Sequence, residues 1–87
     1  MVILRHRNFE KKFRKLRKNE RTRVIASLRV FLNNSSDARL ENHPLRGKFV
    51  GYRSINVGGN LRIIYKELDA EHILMADIGT HHELYGS

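Results

Sequence analysis

The chain has 87 residues and no cysteine, and its 17 lysines and arginines against 9 aspartates and glutamates give a formal net charge of +8. This length predicts one domain over residues 1–87, and the lack of cysteine excludes disulfides and zinc–thiolate sites. The excess positive charge favours a polyanionic partner, with nucleic acid as the leading candidate.

The first half of the chain predicts one strand followed by two helices. An apolar run over residues 1–6 favours a strand, and it is too short for a membrane span or a signal peptide. We therefore expect a cytoplasmic protein without a membrane partner. Apolar residues then recur every three or four positions, from Phe9 to Leu16 and again from Val24 to Leu32. This spacing predicts two amphipathic helices that turn near Asn19 and pack on a sheet.

Most lysines and arginines lie in these predicted helices. Within residues 1–36 only Glu10 and Glu20 oppose them. The helices should thus carry a basic surface for nucleic acid. A solvated surface that only maintains solubility is the alternative interpretation, and an anionic membrane is a weaker one.

The second half predicts three strands, over residues 48–57, 61–68 and 71–78. Gly58-Gly59-Asn60 and Asp69-Ala70 separate these runs and are typical of hairpin turns. Residues 39–47 form the one long loop. The predicted fold class is α+β with the order β-α-α-β-β-β, in which two N-terminal helices pack on one face of a small, mostly antiparallel sheet.

Alternation along the strands sorts their side chains onto two faces. The odd-numbered set is mostly apolar and should face the helices: Ile55, Val57, Leu61, Ile63 and Tyr65. The even-numbered set is mostly polar and should project from an uncovered face, where a polar ligand could lie: Tyr52, Ser54, Asn56, Asn60 and Arg62.

Residues suited to phosphodiester chemistry should converge on that polar face. Arg62 lies on a strand, His43 on the entering loop, and His81 and Tyr85 near the end of the sheet. RNA carries its own nucleophile, the ribose 2′-OH, so its cleavage needs a base, an acid and an anion binder but no metal. Histidine serves as either acid or base near neutral pH, and arginine matches two phosphate oxygens.

Each of these residues also has an ordinary structural interpretation. A histidine is commonly a surface residue, a strand arginine a cross-strand ion-pair partner, and a terminal tyrosine a packed aromatic. A metal site at His81 and His82 is a weaker alternative, because adjacent side chains point apart. The sequence predicts no cofactor and no metal.

Three segments together form a recognisable pattern: HPLRGKFVGYR at residues 43–53, GNLRIIYK at 59–66 and IGTHHELY at 78–85. They resemble the RelE/ParE superfamily of toxins of type II toxin–antitoxin systems, most closely its YafQ-like branch. The resemblance implies a metal-independent endoribonuclease, an mRNA interferase that cleaves mRNA in the ribosomal A site and leaves a 2′,3′-cyclic phosphate. It also implies a cognate antitoxin that wraps the toxin surface.

The resemblance implies a role for each of four residues. His43 would help proton transfer, Arg62 would bind the phosphate, His81 would act as general acid or base, and Tyr85 would stack on or orient a base. Further contacts with the substrate are expected from five residues: Lys48, Arg53, Ser54, Asn56 and Asn60. The last three depart from the YafQ pattern, which has Asp, His and Asp at these positions, so this site lacks an imidazole and two carboxylates.

Two other functions remain open at this stage. A ParE-like toxin shares the fold but acts on DNA gyrase and needs no acid–base pair. A catalytically weakened homologue would bind RNA without cutting it, and its affinity would fall steeply with salt.

Overall fold

The computed structural model describes residues 1–86, which form five strands and three α-helices. The strands are β1 (Val2–Arg5), β2 (His43–Pro44), β3 (Arg53–Gly58), β4 (Leu61–Glu67) and β5 (His72–Thr80). The helices are α1 (Arg7–Lys15), α2 (Lys18–Asn33) and α3 (His81–Tyr85). Within residues 1–86 no helix has the length and apolar character needed to cross a bilayer.

The strands form one sheet in the order β1-β5-β4-β3-β2. β1 pairs in parallel with β5, and the other neighbours are antiparallel. The predicted α+β class and the mostly antiparallel sheet are confirmed. The short strand β2 and the helix α3 were not predicted.

Helix α2 begins earlier than the sequence pattern indicated. The Glu20 carboxylate accepts a hydrogen bond from the backbone N–H of Arg17 at 2.9 Å, which caps the first turn of the helix. The expected turn near Asn19 is therefore wrong, because the cap lies at Arg17 and Asn19 is already helical.

Strand β3 begins at Arg53, five positions later than predicted. The residues before it form a short 3-10 turn over Gly47–Phe49, with Val50 N–H donating to the Gly47 carbonyl at 3.1 Å. Gly47 has φ +64° and Gly51 has φ +91°, a region that favours glycine. Gly47 begins this turn and Gly51 follows it, and their backbone conformations prevent residues 48–52 from forming part of the strand.

One face of the sheet packs against α1 and α2 and contains the main core. All five odd-numbered strand residues are buried there, as predicted, together with Phe9, Val24, Phe31 and Leu40. Tyr65 meets Phe31 edge to face with ring centroids 5.0 Å apart. The first helix stripe packs on this core as its spacing indicated, and so do Val24, Leu28 and Phe31 of the second. The prediction is wrong for Ile25 and Leu32, which are 46% and 52% exposed because they lie on the side of α2 that faces away from the sheet.

The opposite face of the sheet is only partly open. Ser54 and Ile64 on this face are both 0% exposed, and Leu84 of α3 is buried as well. The expectation of an uncovered polar face is therefore wrong for Ser54. The accessible parts of this face are clefts, which lie between the sheet and the side chains of residues 43–52 and α3.

The central position of β4 leads to a stability prediction. Ile63 is fully buried, so Ile63→Ala should lower the free energy of unfolding by about 2–5 kcal/mol. Urea denaturation followed by circular dichroism measures the change. Leu68→Ala is the matched control, because Leu68 is 47% exposed and its truncation should cost less than about 0.5 kcal/mol. Equal losses in the two variants would contradict this description of the core.

Candidate functional site

Arg62 lies on β4 and is the cation at the centre of the site. On the sheet it is flanked by Asn56 of β3 and Gly79 of β5. Its side chain is 25% exposed, and Nη2 lies 3.7 Å from Oε1 of Glu41. Nη1 is buried and has no hydrogen-bond partner among the described residues. A buried donor without a partner is unfavourable, so a small movement of the side chain that brought Nη1 to an anionic ligand would gain a hydrogen bond.

His43 enters the site from β2, which pairs with β3 at Ser54. Its Nδ1 lies 2.8 Å from the backbone carbonyl oxygen of Glu41. A carbonyl oxygen only accepts hydrogen bonds, so Nδ1 carries the proton in this pair. In the neutral ring Nε2 is then the unprotonated nitrogen, which is the form that a general base requires.

Helix α3 brings His81 and Tyr85 together. The two residues are four positions apart on the helix, and their ring centroids lie 4.8 Å apart. Tyr85 Oη is buried and has no hydrogen-bond partner within residues 1–86. His82 is offset by about 100° around the helix from His81, so the histidine pair does not act as one group.

A capping box fixes the start of α3. Thr80 Oγ1 accepts the backbone N–H of Glu83 at 3.1 Å, and Glu83 Oε1 accepts the backbone N–H of Thr80 at 2.7 Å. This Thr-x-x-Glu signal is present in the sequence, and it could have predicted the helix. A Cβ at Gly79 would lie 3.2 Å from Glu83 Oε1, so glycine leaves room for the cap.

These side chains line one open cleft of about 360 Å³, together with Leu45 and Arg46. His43, Arg62, His81 and Tyr85 all contribute to its wall. The structure thus brings together the four residues predicted to be catalytic, while their chemical roles stay predictions. In residues 1–86 no three His, Asp or Glu side chains cluster as a metal site would require.

The five residues expected to contact the substrate lie outside that cleft wall. Asn56 neighbours Arg62 across the strands, and its Oδ1 accepts the Gly58 N–H at 3.3 Å. Asn60 is exposed in the β3–β4 turn. Ser54 is buried, so it is not in position to touch a ligand.

Arg53 and Lys48 lie at two other clefts. Arg53 Nε donates to Asn42 Oδ1 at 2.8 Å, and Arg53 lines a separate polar cleft beside Tyr65. Lys48 is exposed, with its Nζ 5.3 Å from the centroid of the Phe49 ring. Neither cation reaches the Arg62 cleft in this conformation.

Sequence reasoning missed Glu41. This residue adopts a left-handed backbone with φ 47°, and it holds both His43, through its carbonyl, and Arg62, through its carboxylate. No sequence signal indicates this conformation. Asn42 secures the same loop by donating to Tyr65 Oη at 2.8 Å and to the Ser35 carbonyl at 2.9 Å.

Comparison with known proteins adds independent information. Residues 1–86 match a family model described as the bacterial toxin YafQ of type II toxin–antitoxin systems. The crystal structure of YafQ from E. coli strain BL21(DE3) is similar to the chain with a TM-score of 0.82, at 25% identity over 98% of both chains. No curated protein sequence matches closely enough to count as a relative.

Two further solved structures are similar to the chain. A chain of the E. coli DinJ–YafQ toxin–antitoxin complex has a TM-score of 0.67 and 27% identity, with 98% of this chain and 97% of that chain covered. The YoeB/ParE toxin from Agrobacterium tumefaciens has a TM-score of 0.78 at 13% identity, with 93% of this chain and 99% of that chain covered. The latter likeness concerns the fold alone.

The capping carboxylate of α3 should make the structure of this helix depend on pH. The hydrogen bond from the Thr80 backbone holds the pKa of Glu83 below its ordinary value of about 4.5. A carboxyl with a lowered folded-state pKa stabilises the fold fully above its unfolded value, and this stabilisation is lost as the pH falls through the folded value. In an NMR titration, the Thr80 amide and the Tyr85 ring should therefore shift together below about pH 4.5.

Glu83→Gln is the matched control for this titration. Glutamine is also found at this capping position and does not titrate, so the coincident shift should vanish in the variant. The same shift in Glu83→Gln would assign the transition to another group.

Proposed function

The chain belongs to the YafQ family of toxins of type II toxin–antitoxin systems, and we propose that it is an mRNA interferase, an endoribonuclease that cleaves mRNA on the ribosome. It would act in the cytoplasm, where cleavage of mRNA inhibits translation. The observation that carries the proposal is the single cleft lined by His43, Arg62, His81 and Tyr85. Two imidazoles, a guanidinium and a phenol around one cavity match the needs of phosphodiester cleavage.

The first step would be activation of the ribose 2′-OH. His43 holds its Nδ1 proton against the Glu41 carbonyl, which leaves Nε2 free to take the 2′-OH proton. The oxygen then attacks the adjacent phosphorus. Because RNA supplies this nucleophile itself, the protein needs no bound water or metal to generate one.

Charge stabilisation would come from Arg62. As the 2′ oxygen attacks, negative charge builds on the non-bridging oxygens, and a guanidinium can donate to both. Nη1 is buried without a partner among the described residues, so it would donate to the phosphate after the side chain moves toward the cleft. Glu41, with Oε1 3.7 Å from Nη2, would help to orient the guanidinium.

The last step would be departure of the 5′ oxygen. A protonated His81 gives its proton to that oxygen, the P–O5′ bond breaks, and the products are a 2′,3′-cyclic phosphate and a free 5′-OH. Tyr85 packs against the His81 ring at 4.8 Å and would orient it, while stacking on or orienting a substrate base.

The departures from the YafQ pattern limit how proton transfer can occur. Ser54 is buried, and Asn56 and Asn60 are neutral, so these three positions supply no acid or base. Proton transfer in this chain would therefore rest on His43 and His81 alone. We expect cleavage that is slower than in a site with additional carboxylates.

A cognate antitoxin would control this activity. The E. coli YafQ chain is found in a complex with DinJ, and we propose a corresponding partner for this chain. Its net charge of +8 favours an antitoxin with an acidic toxin-binding segment.

The proposal predicts loss of cleavage in two single variants. His43→Ala and His81→Ala should each reduce the cleavage rate by about 10²–10⁴-fold, because each removes one proton-transfer group. Primer extension on mRNA engaged by purified ribosomes measures the rate, and the same mRNA without ribosomes tests whether the ribosome is required. His82→Ala is the matched control, since it removes a neighbouring imidazole on the same helix.

Three outcomes would count against this function. Unchanged cleavage in both variants would remove the assigned acid–base pair. Intact mRNA together with arrested DNA replication would indicate a gyrase-directed toxin instead. RNA binding without any cut product would indicate a homologue that only binds.

A further inference from the structure

A second cleft lies on the same side of the sheet as the Arg62 cleft. Its volume is about 240 Å³, and its walls include the aromatic rings of Phe49 and Tyr52 beside the buried side chain of Ile64. This volume is below the ~300–1,000 Å³ typical of sites for drug-sized ligands. The cleft therefore suits a single flat ring system.

Exposed lysines lie over both aromatic rings. Lys48 Nζ is 5.3 Å from the centroid of Phe49, and Lys66 Nζ is 5.4 Å from the centroid of Tyr52. Both lysines are exposed, so each flexible side chain can leave its ring for solvent. A planar ligand can therefore replace the ammonium group on the ring and leave the lysine free to pair with a nearby anion.

The aromatic rings connect this cleft to the Arg62 cleft. Phe49 meets Tyr52 edge to face at 6.4 Å and meets Tyr85 edge to face at 5.7 Å. Tyr85 in turn contacts His81 at 4.8 Å. The four rings form a continuous row from the proposed reaction centre into the second cleft.

Polar side chains also line the second cleft, beside the apolar Leu74 and Ala76. Asp77 is paired with Lys12 at 2.9 Å, so its negative charge is compensated. His6 accepts the Asn8 N–H through Nδ1, which leaves Nε2 as a donor in the neutral ring. The cleft thus combines stacking surfaces with hydrogen-bond donors and acceptors, the Asn8 amide among them, as a nucleobase edge requires.

We propose that this second cleft binds a nucleobase of the RNA. This base belongs to the nucleotide next to the phosphate that Arg62 would hold. The base stacks on the Tyr52 or Phe49 ring, and Lys48 pairs with the phosphate of the same nucleotide. This inference rests on the proposed function, because it assigns the substrate of the adjoining cleft. RNA is favoured over a peptide because open aromatic faces alternate with cations, the arrangement of single-strand nucleic-acid sites.

The test compares the affinities of short RNAs of increasing length. We would titrate the chain with 2′-O-methyl oligoadenylates of two to five nucleotides, which lack the free 2′-OH and are not cleaved, in a calorimeter. In the wild type, adding the nucleotide that reaches the second cleft should tighten binding by roughly 5- to 100-fold. In Tyr52→Leu, which keeps apolar bulk but loses the ring, this step should shrink to less than twofold.

Two further measurements distinguish the loss of a specific contact from misfolding of the variant. An oligonucleotide that is abasic at the added position keeps the phosphate for Lys48 but lacks the base, so its length step in the wild type should shrink to the residual step seen in Tyr52→Leu. Lys48→Ala should weaken binding of the longer oligonucleotide. The slope of the logarithm of its affinity against the logarithm of the salt concentration should become shallower by about one, the value for one phosphate contact. Arg39→Ala is the control with the same change in net charge, at an exposed residue outside the two basic helices and both clefts, and it should change neither value.

The outcomes separate this inference from the proposed function. A length step that keeps its full size in Tyr52→Leu, or with the abasic oligonucleotide, would overturn the base site even if histidine-dependent cleavage is observed. A step that depends on Tyr52 in a chain that cuts no mRNA would support the base site and reject the nuclease. Equal loss in Lys48→Ala and Arg39→Ala would contradict the assigned phosphate contact.

Discussion

The backbone of Arg62 is held on both sides by the sheet, and the candidate site depends on this constraint. Arg62 projects from β4, which has β3 on one side and β5 on the other, so main-chain hydrogen bonds fix its backbone along both edges. Its neighbours Ile63 and Ile64 are both fully buried, on opposite faces of the sheet. The guanidinium therefore starts from a backbone that cannot shift without disturbing the core, and the rest of the site is arranged around it. Such rigidity is what electrostatic stabilisation of a transition state requires.

The other half of the site depends on the segment that joins α2 to β2. Glu41 and Asn42 hold this segment by contacts that reach from Arg62 to Tyr65. Tyr65 belongs to the main core, where it packs on Phe31. The position of His43 is thus linked to the packing of the helices through a chain of side chains, so the site and the core on the other face of the sheet are mechanically connected.

The sequence predicted burial best where the apolar residues follow the regular repeat of a strand or a helix. Alternation correctly placed Ile55, Ile63 and Tyr65 in the core, and helix spacing did the same for Phe9 and Phe31. It was misleading for Ser54, because two-residue alternation gives the face of a residue but not what covers that face.

The candidate site was predictable only in part. Motif resemblance selected His43, Arg62, His81 and Tyr85, and all four line one cleft. Glu41 was out of reach, because its role arises from a left-handed backbone and a carbonyl direction that no side-chain pattern encodes. Helix α3 was within reach, since its Thr80–Glu83 cap is visible in the sequence.

The parallel pairing of β1 with β5 has a consequence for how the protein matures. β5 is the only strand that β1 pairs with in the described sheet, and nearly the whole domain separates the two along the chain. In a nascent polypeptide, β1 stays without its neighbour until β5 has emerged, and α3 with His81 follows only after that. A partly synthesised chain therefore holds neither a finished sheet nor a complete cleft, so the order of the strands would delay the proposed activity until the whole domain has left the ribosome.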